Sequence, residues 1–260
     1  LGDTDSITEA YSDARASKDN SEIFALAGLE LLKSGKSGKS AELLQKIDTS
    51  LIENQQILNT VSLAKLSTGD SSGIIDLENS LTRLIENKAP TQEITKVKVL
   101  LISSLLALDN IQKAEVYVNS WISSNPKSIT NKLLLVQLER RKPSPDDNKI
   151  QKIYHSVLLT DEYNLVANLY FTNMFTKLGE YSSAEKYINK AIEKHENNIT
   201  IAKSYLNVQE QLIGKDKAFN QLISRYANYE DSFETRLVLA QIYLIENQAD
   251  ERAKEQNQVL

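Results

Sequence analysis

The chain is built from a helix–turn–helix unit that returns about every 34 residues. In the clearest copy, over 165–198, apolar residues three or four apart predict a first helix that ends at Leu178. Gly179 then favours a left-handed turn, because glycine adopts this conformation without strain. The second helix has one apolar face, formed by Ala184, Ile188 and Ala191. Each unit is therefore expected to be a short antiparallel helix pair.

Ser182 and Glu185 have the spacing of a capping box, which predicts that the second helix of the 165 unit begins near Ser182.

The repeat extends along the whole chain. Aligning Ala114, Ala184 and Ala218 places the unit starts near residues 22, 58, 95, 129, 165, 199 and 233. Residues 1–21 are interpreted as half a repeat whose first helix is missing. We therefore expect a portion of a longer array.

Composition agrees with short helices and excludes other classes. Eight Gly and four Pro are too few breakers for an all-β chain, which needs a turn about every 8–12 residues. The absence of Cys excludes disulfides, thiolate zinc sites and a catalytic thiol. The formal charge of −5 does not indicate a nucleic-acid footprint.

Several units resemble the tetratricopeptide repeat (TPR) at its characteristic positions. The last unit has Leu239, Ala240 and Tyr243 at the Leu, small and Tyr positions, and the 165 unit has Phe171, Gly179 and Ala184 in place. The resemblance implies an all-α fold, a right-handed superhelix (α-solenoid) of stacked antiparallel helix pairs. We expect residues 1–260 to be one solenoid of about seven repeats.

Some positions depart from the TPR pattern. Trp121, the only Trp, stands where the repeat usually has a small Ala, and we interpret it as a core residue in a wider packing layer. The unit near residue 58 is weak, since Lys65 and Thr68 occupy usually apolar positions. Pro143 and Pro145 predict that residues 140–148 form a loop between two helices.

No grouping of residues indicates catalysis, a metal or a cofactor. His155 and His195 are interpreted as surface residues, the latter at a helix end where a cation is favourable. The SGKSGKS stretch, residues 34–40, lacks the glycine spacing of a phosphate loop and is interpreted as a polar turn. We predict that the chain is not an enzyme and binds no cofactor.

In the TPR family, the ligand-facing side chains lie on the first helix of each unit. The resemblance implies a peptide-binding groove formed by Gln137, Arg140, Arg141, Asn173, Lys177, Lys203, Asn207 and Gln241. Side-chain amides both donate and accept hydrogen bonds, which suits an extended peptide backbone. The alternative is that these residues are simply solvated. Basic members would favour acidic partners, although Glu210 on the same face weakens this.

The sequence therefore predicts a non-catalytic protein–protein interaction scaffold that binds a peptide or protein segment. The alternative is a peptide-sensing domain that regulates an attached effector domain. The chain also resembles bacterial TPR proteins of the cell envelope, some of which accompany exopolysaccharide or surface-protein export (PEP-CTERM type). This favours the envelope or periplasm over the cytoplasm. We expect no nucleic acid and no membrane contact from this segment, and the oligomeric state stays open.

Overall fold

A computed structural model describes residues 18–195 and 198–227, together with four helical positions at 238, 240, 241 and 244. Within these residues the secondary structure is helical, with no strand. The α-helices are α1 (Lys18–Lys33), α2 (Ser37–Lys46), α3 (Gln55–Ser67), α4 (Ser72–Glu86), α5 (Thr91–Ala107), α6 (Ile111–Ser124), α7 (Ile129–Arg141), α8 (Asp147–Leu158), α9 (Leu165–Lys177), α10 (Tyr181–Lys194), α11 (Ile199–Ile213) and α12 (Lys215–Ala227). A 3₁₀ turn, Thr49–Leu51, follows α2.

Odd-numbered and even-numbered helices are the first and second helices of successive units. Short connections join α1 to α2, α3 to α4, α5 to α6, α9 to α10 and α11 to α12, and the two helices of each pair pack together. Gly179 has φ +74°, as its predicted role in the turn requires. Gly69 does the same for α3 and α4, with φ +87°. The prediction of an all-α fold of stacked helix pairs is confirmed.

First helices also contact the first helix of the next unit. α1 contacts α3, α3 contacts α5, α5 contacts α7, and α9 contacts α11. Each first helix begins within four residues of the predicted unit start. α3 begins at Gln55, three residues before Leu58, and Lys65 lies on its buried side.

The start of α10 corrects one local prediction. The helix begins at Tyr181, its N-cap residue is Glu180, and no side chain caps it. Ser182 therefore lies inside the helix, and the predicted capping box with Glu185 is wrong. Glu185 instead accepts a hydrogen bond from Nε2 of Gln209 on α11, at 2.8 Å. A contact with the next unit thus takes the place of the local contact.

The chain divides into two compact units between Pro145 and Asp146. The boundary lies in the predicted Pro-containing loop, because α7 ends at Arg141 and α8 begins at Asp147. The Asp146 carboxylate caps α8 by accepting a hydrogen bond from the backbone N–H of Lys149, at 3.0 Å. The loop prediction is confirmed with narrower limits.

The first unit has two hydrophobic clusters, one around α1 to α3 and one around α4 to α7. Trp121 is buried in the second cluster, beside Tyr117, with Nζ of Lys98 4.6 Å from its ring centre. Burial lowers the pKa of Lys98. The interpretation of Trp121 as a core residue is confirmed.

The second unit has a cluster formed by α10, α11 and α12, centred on Ala184, Ile188, Ala191 and Tyr205. Val238 also belongs to this cluster. The half repeat predicted for residues 1–21 and most of the unit predicted from residue 233 lie outside the described residues. Among the helices that are described, none is both long enough and apolar enough to cross a membrane.

Candidate functional site

The predicted groove residues of the second unit lie on neighbouring helices. Asn173 and Lys177 are exposed on α9, and Lys203 and Asn207 are exposed on α11. α9 and α11 contact each other, so these four side chains lie on the exposed sides of two neighbouring first helices. We call the surface defined by these four residues the first-helix surface.

Helix periodicity explains why these residues are exposed. On α11 the opposite side packs into the core through Ile201, Ala202 and Tyr205. On α9 the buried side carries Ala167 and Phe171. Residues four apart share one side of a helix, so burial of these positions leaves Lys203 and Asn207 facing solvent together.

The first-helix surface combines amides and cations, and an exposed apolar side chain lies on the same helix, α9. Asn173 and Asn207 each offer two N–H donors and one acceptor oxygen. Lys177 and Lys203 supply positive charge, and Val166 near the start of α9 is 48% exposed. This combination can hydrogen-bond a peptide backbone, pair with a carboxylate and cover an apolar side chain.

The remaining predicted residues are placed separately. Gln137, Arg140 and Arg141 are exposed on α7, which belongs to the first unit. Arg140 and Arg141 occupy the last turn of α7, where cations also stabilise the helix dipole. Gln241 is helical and half-buried. Four of the eight predicted residues therefore lie on two helices in contact, and the other four lie elsewhere.

The sequence reasoning missed a pocket between first helices of the first unit. This cavity of about 540 Å³ lies between α3 and α5. Its lining includes the amides of Gln55, Gln56 and Asn59, the apolar Leu63 and Leu100, and the charged Glu93 and Lys96. The sequence signal for this pocket was the ENQQILN stretch, residues 53–59. It was overlooked because the unit was predicted to start near residue 58, whereas α3 begins at Gln55.

The two histidines and the glycine–lysine stretch lie where the sequence suggested. His155 is exposed on α8, and His195 follows the last residue of α10. Gly35, at φ +76°, lies in the turn between α1 and α2, so residues 34–36 form the predicted polar turn. The prediction is wrong for residues 37–40, because α2 begins at Ser37 and Ser40 is buried. The described residues include no group of three or more His, Asp or Glu side chains arranged to hold a metal ion.

Comparisons with known proteins give structural similarities alone. No protein-family profile and no curated protein matches the sequence. A tetratricopeptide repeat protein from Parabacteroides merdae has 16% identity and a TM-score of 0.47, covering 91% of this chain and 90% of that chain. A thermophilic TPR protein of Thermus thermophilus has 14% identity and a TM-score of 0.42, covering 73% and 99%. The TPR2AB domain of yeast Sti1, in complex with pHSP90, has 16% identity and a TM-score of 0.32, covering 91% and 96%.

Proposed function

We propose that this chain is a non-catalytic interaction scaffold whose first-helix surface binds an extended segment of a partner peptide or protein. The supporting observation is that Asn173 and Asn207 are exposed on two helices in contact, with Lys177 and Lys203 beside them. The paired amides suit a peptide backbone, and the lysines suit a ligand with carboxylates.

The stacked architecture favours this function. Each helix pair is held mainly by its own core and by its neighbours, so the exposed side of a first helix is not needed for folding. Polar residues on that side are therefore available for a ligand.

Affinity measurements on a substituted surface test the proposal. Peptides selected from a randomised library against the whole chain would be titrated against Asn173→Ala/Lys203→Ala/Asn207→Ala. Each lost hydrogen bond is worth about 0.5–1.5 kcal/mol, so the loss of three should weaken binding by about tenfold to about a thousandfold.

A matched control replaces one lysine and two amides on second helices. Lys186, Asn220 and Gln221 are exposed on α10 and α12, and Lys186→Ala/Asn220→Ala/Gln221→Ala is expected to bind as the unsubstituted chain does. Equal affinity of the two triple variants would reject the first-helix surface as the binding site.

We also propose a setting in the bacterial cell envelope, where the scaffold would assist export or assembly. The support is the sequence resemblance to envelope TPR proteins. Fractionation of the cells that produce the protein tests this. Recovery in the cytoplasm alone would reject it.

A further inference from the structure

A second cavity lies in the second unit, away from the first-helix surface. It has a volume of about 540 Å³, within the range of about 300–1,000 Å³ usual for ligand sites. One wall is aromatic and consists of Phe171 and Phe175 from α9 and Tyr187 from α10. The other wall comes from α8. We call this cavity the α8–α10 pocket, because the three helices α8, α9 and α10 line it.

The aromatic wall is a set of rings already packed against one another. The Tyr187 ring centre is 4.9 Å from that of Phe171 and 5.7 Å from that of Phe175, with interplanar angles of 23° and 15°. Phe171 also contacts Tyr170, which stacks on Tyr154. Since the rings hold each other in place, the wall is formed before any ligand arrives, and it offers surface for one more stacked ring.

The wall from α8 is polar and carries no acidic side chain. Its residues fall at helical spacing on one face: Asn148, Gln151, Lys152 and His155. Lys152 and His155 are exposed and make no ion pair within the described part of the chain. Lys152 gives this wall a positive charge, and the cavity lining contains no carboxylate that would neutralise it.

The Gln151 amide is held by a weak acceptor. Its Nε2 lies 3.6 Å from Sδ of Met174, and a thioether accepts hydrogen bonds poorly. A carboxylate or peptide carbonyl in the pocket would be a better acceptor for the same N–H.

We propose that the α8–α10 pocket binds the aromatic side chain of an acidic peptide segment, with the ring against Phe175 and Tyr187 and a neighbouring carboxylate beside Lys152 and His155. The pocket is a second peptide site, separate from the first-helix surface.

The test uses the peptide acetyl-Asp-Glu-Phe-Glu-Asp-amide and versions with Ala or Leu at the centre, titrated into the whole chain by calorimetry. We expect the Phe peptide to bind about tenfold more tightly than the Ala peptide, because only it buries a ring. Undetectable binding of the Phe peptide, or equal affinity of the Phe and Leu peptides, would overturn the proposal.

Charge reversal locates the site. Lys152→Glu/His155→Glu changes exposed residues, so the helical circular-dichroism signal should persist while the Phe peptide binds about tenfold more weakly. Lys186→Glu, an exposed residue of α10 outside the pocket lining, is the control and should bind normally. Equal weakening by the control would overturn the assignment.

The two proposed sites are separable. The variant Asn173→Ala/Lys203→Ala/Asn207→Ala should bind the Phe peptide as the unsubstituted chain does. If this variant loses the peptide while Lys152→Glu/His155→Glu keeps it, the α8–α10 pocket is rejected and the first-helix surface gains support.

Discussion

Lys65 and Asp76 form an ion pair between α3 and α4 that is almost completely removed from water. Nζ of Lys65 lies 2.9 Å from Oδ2 of Asp76, and their side chains are 5% and 9% exposed. The Thr49 hydroxyl donates to the other carboxylate oxygen at 2.6 Å. Burial costs both ions their hydration, and these hydrogen bonds offset part of that cost. The pair makes a lysine acceptable at a position where the repeat usually has an apolar residue.

Removing one partner should be more harmful than changing both. Lys65→Met leaves the Asp76 carboxylate buried without its cation, and we expect the free energy of unfolding to fall by about 3–5 kcal/mol. Lys65→Met/Asp76→Asn removes the charge while keeping an acceptor for Thr49, and it should recover most of this loss. Urea denaturation measures both variants. A double variant no more stable than Lys65→Met would contradict the account.

Ionisation of the Tyr117 hydroxyl should make the free energy of unfolding depend on pH in the alkaline range. Burial, the hydrogen bond that its hydroxyl donates to Glu78 and the Glu78 charge raise the pKa of Tyr117 to about 12. The unfolded phenol ionises near its usual pKa of about 10, so at higher pH the unfolded state binds fewer protons than the folded state. The contribution to stability is complete below about pH 10 and is lost as pH rises towards about 12.

Tyr117→Phe tests this linkage because phenylalanine does not ionise. The unsubstituted chain should lose more unfolding free energy than Tyr117→Phe between about pH 9 and about pH 11. Urea titrations at the two pH values give the difference, and the other tyrosines cancel because both proteins contain them. Equal losses would show that Tyr117 ionises alike in the folded and unfolded states.

At the scale of elements, close contact between the helices of a pair depends on small residues. An added Cβ at Gly73, the second residue of α4, would lie 2.3 Å from the backbone oxygen of Ser62 on α3. In the α1–α2 pair, the Ser40 hydroxyl donates to the backbone oxygen of Gly28 at 2.7 Å. These contacts hold each pair at a spacing that larger side chains would widen.

Alanine at Gly73 should push α3 and α4 apart. We expect Gly73→Ala to lower the free energy of unfolding by about 1–3 kcal/mol, since a backbone atom cannot move aside cheaply. Gly38 is the control: it is the second residue of α2, and nothing lies within 4 Å of an added Cβ. Gly38→Ala should be neutral or stabilise by up to about 1 kcal/mol. Thermal unfolding compares them, and a shift in the same direction for both would contradict the packing account.

The helix pairs could be predicted because their signals are local. Apolar spacing and Gly179 specify where α9 and α10 lie, whereas the exposed positions of Asn173 and Asn207 were implied by the resemblance to the tetratricopeptide repeat. The start of α3 was harder to predict, because Lys65 is a charged residue on the buried side of the helix. Its ion-pair partner, Asp76, is eleven residues away, and helical periodicity does not indicate such a pair. The predicted capping box of α10 was wrong for a related reason, because Glu185 accepts a hydrogen bond from Gln209 on the next helix, α11.

At the scale of the whole molecule, repetition makes exposed faces easier to predict than the spaces between helices. Seven of the eight predicted groove residues are exposed, and Gln241 is half-buried. The α8–α10 pocket was missed because Phe171 and Phe175 have the spacing of ordinary core residues. The distance between α8 and α10 depends on how neighbouring helix pairs pack together, and the sequence of a single helix does not specify that packing.

The side-chain amide signals of Asn173 and Asn207 in a nitrogen-15 NMR spectrum, assigned with Asn→Asp variants, test the proposed binding surface most directly. Titration with a library-selected peptide should shift both signals and leave that of the second-helix Asn220 unchanged. Saturable binding that moves Asn220 and leaves Asn173 and Asn207 in place would show that the first-helix surface is not the binding site.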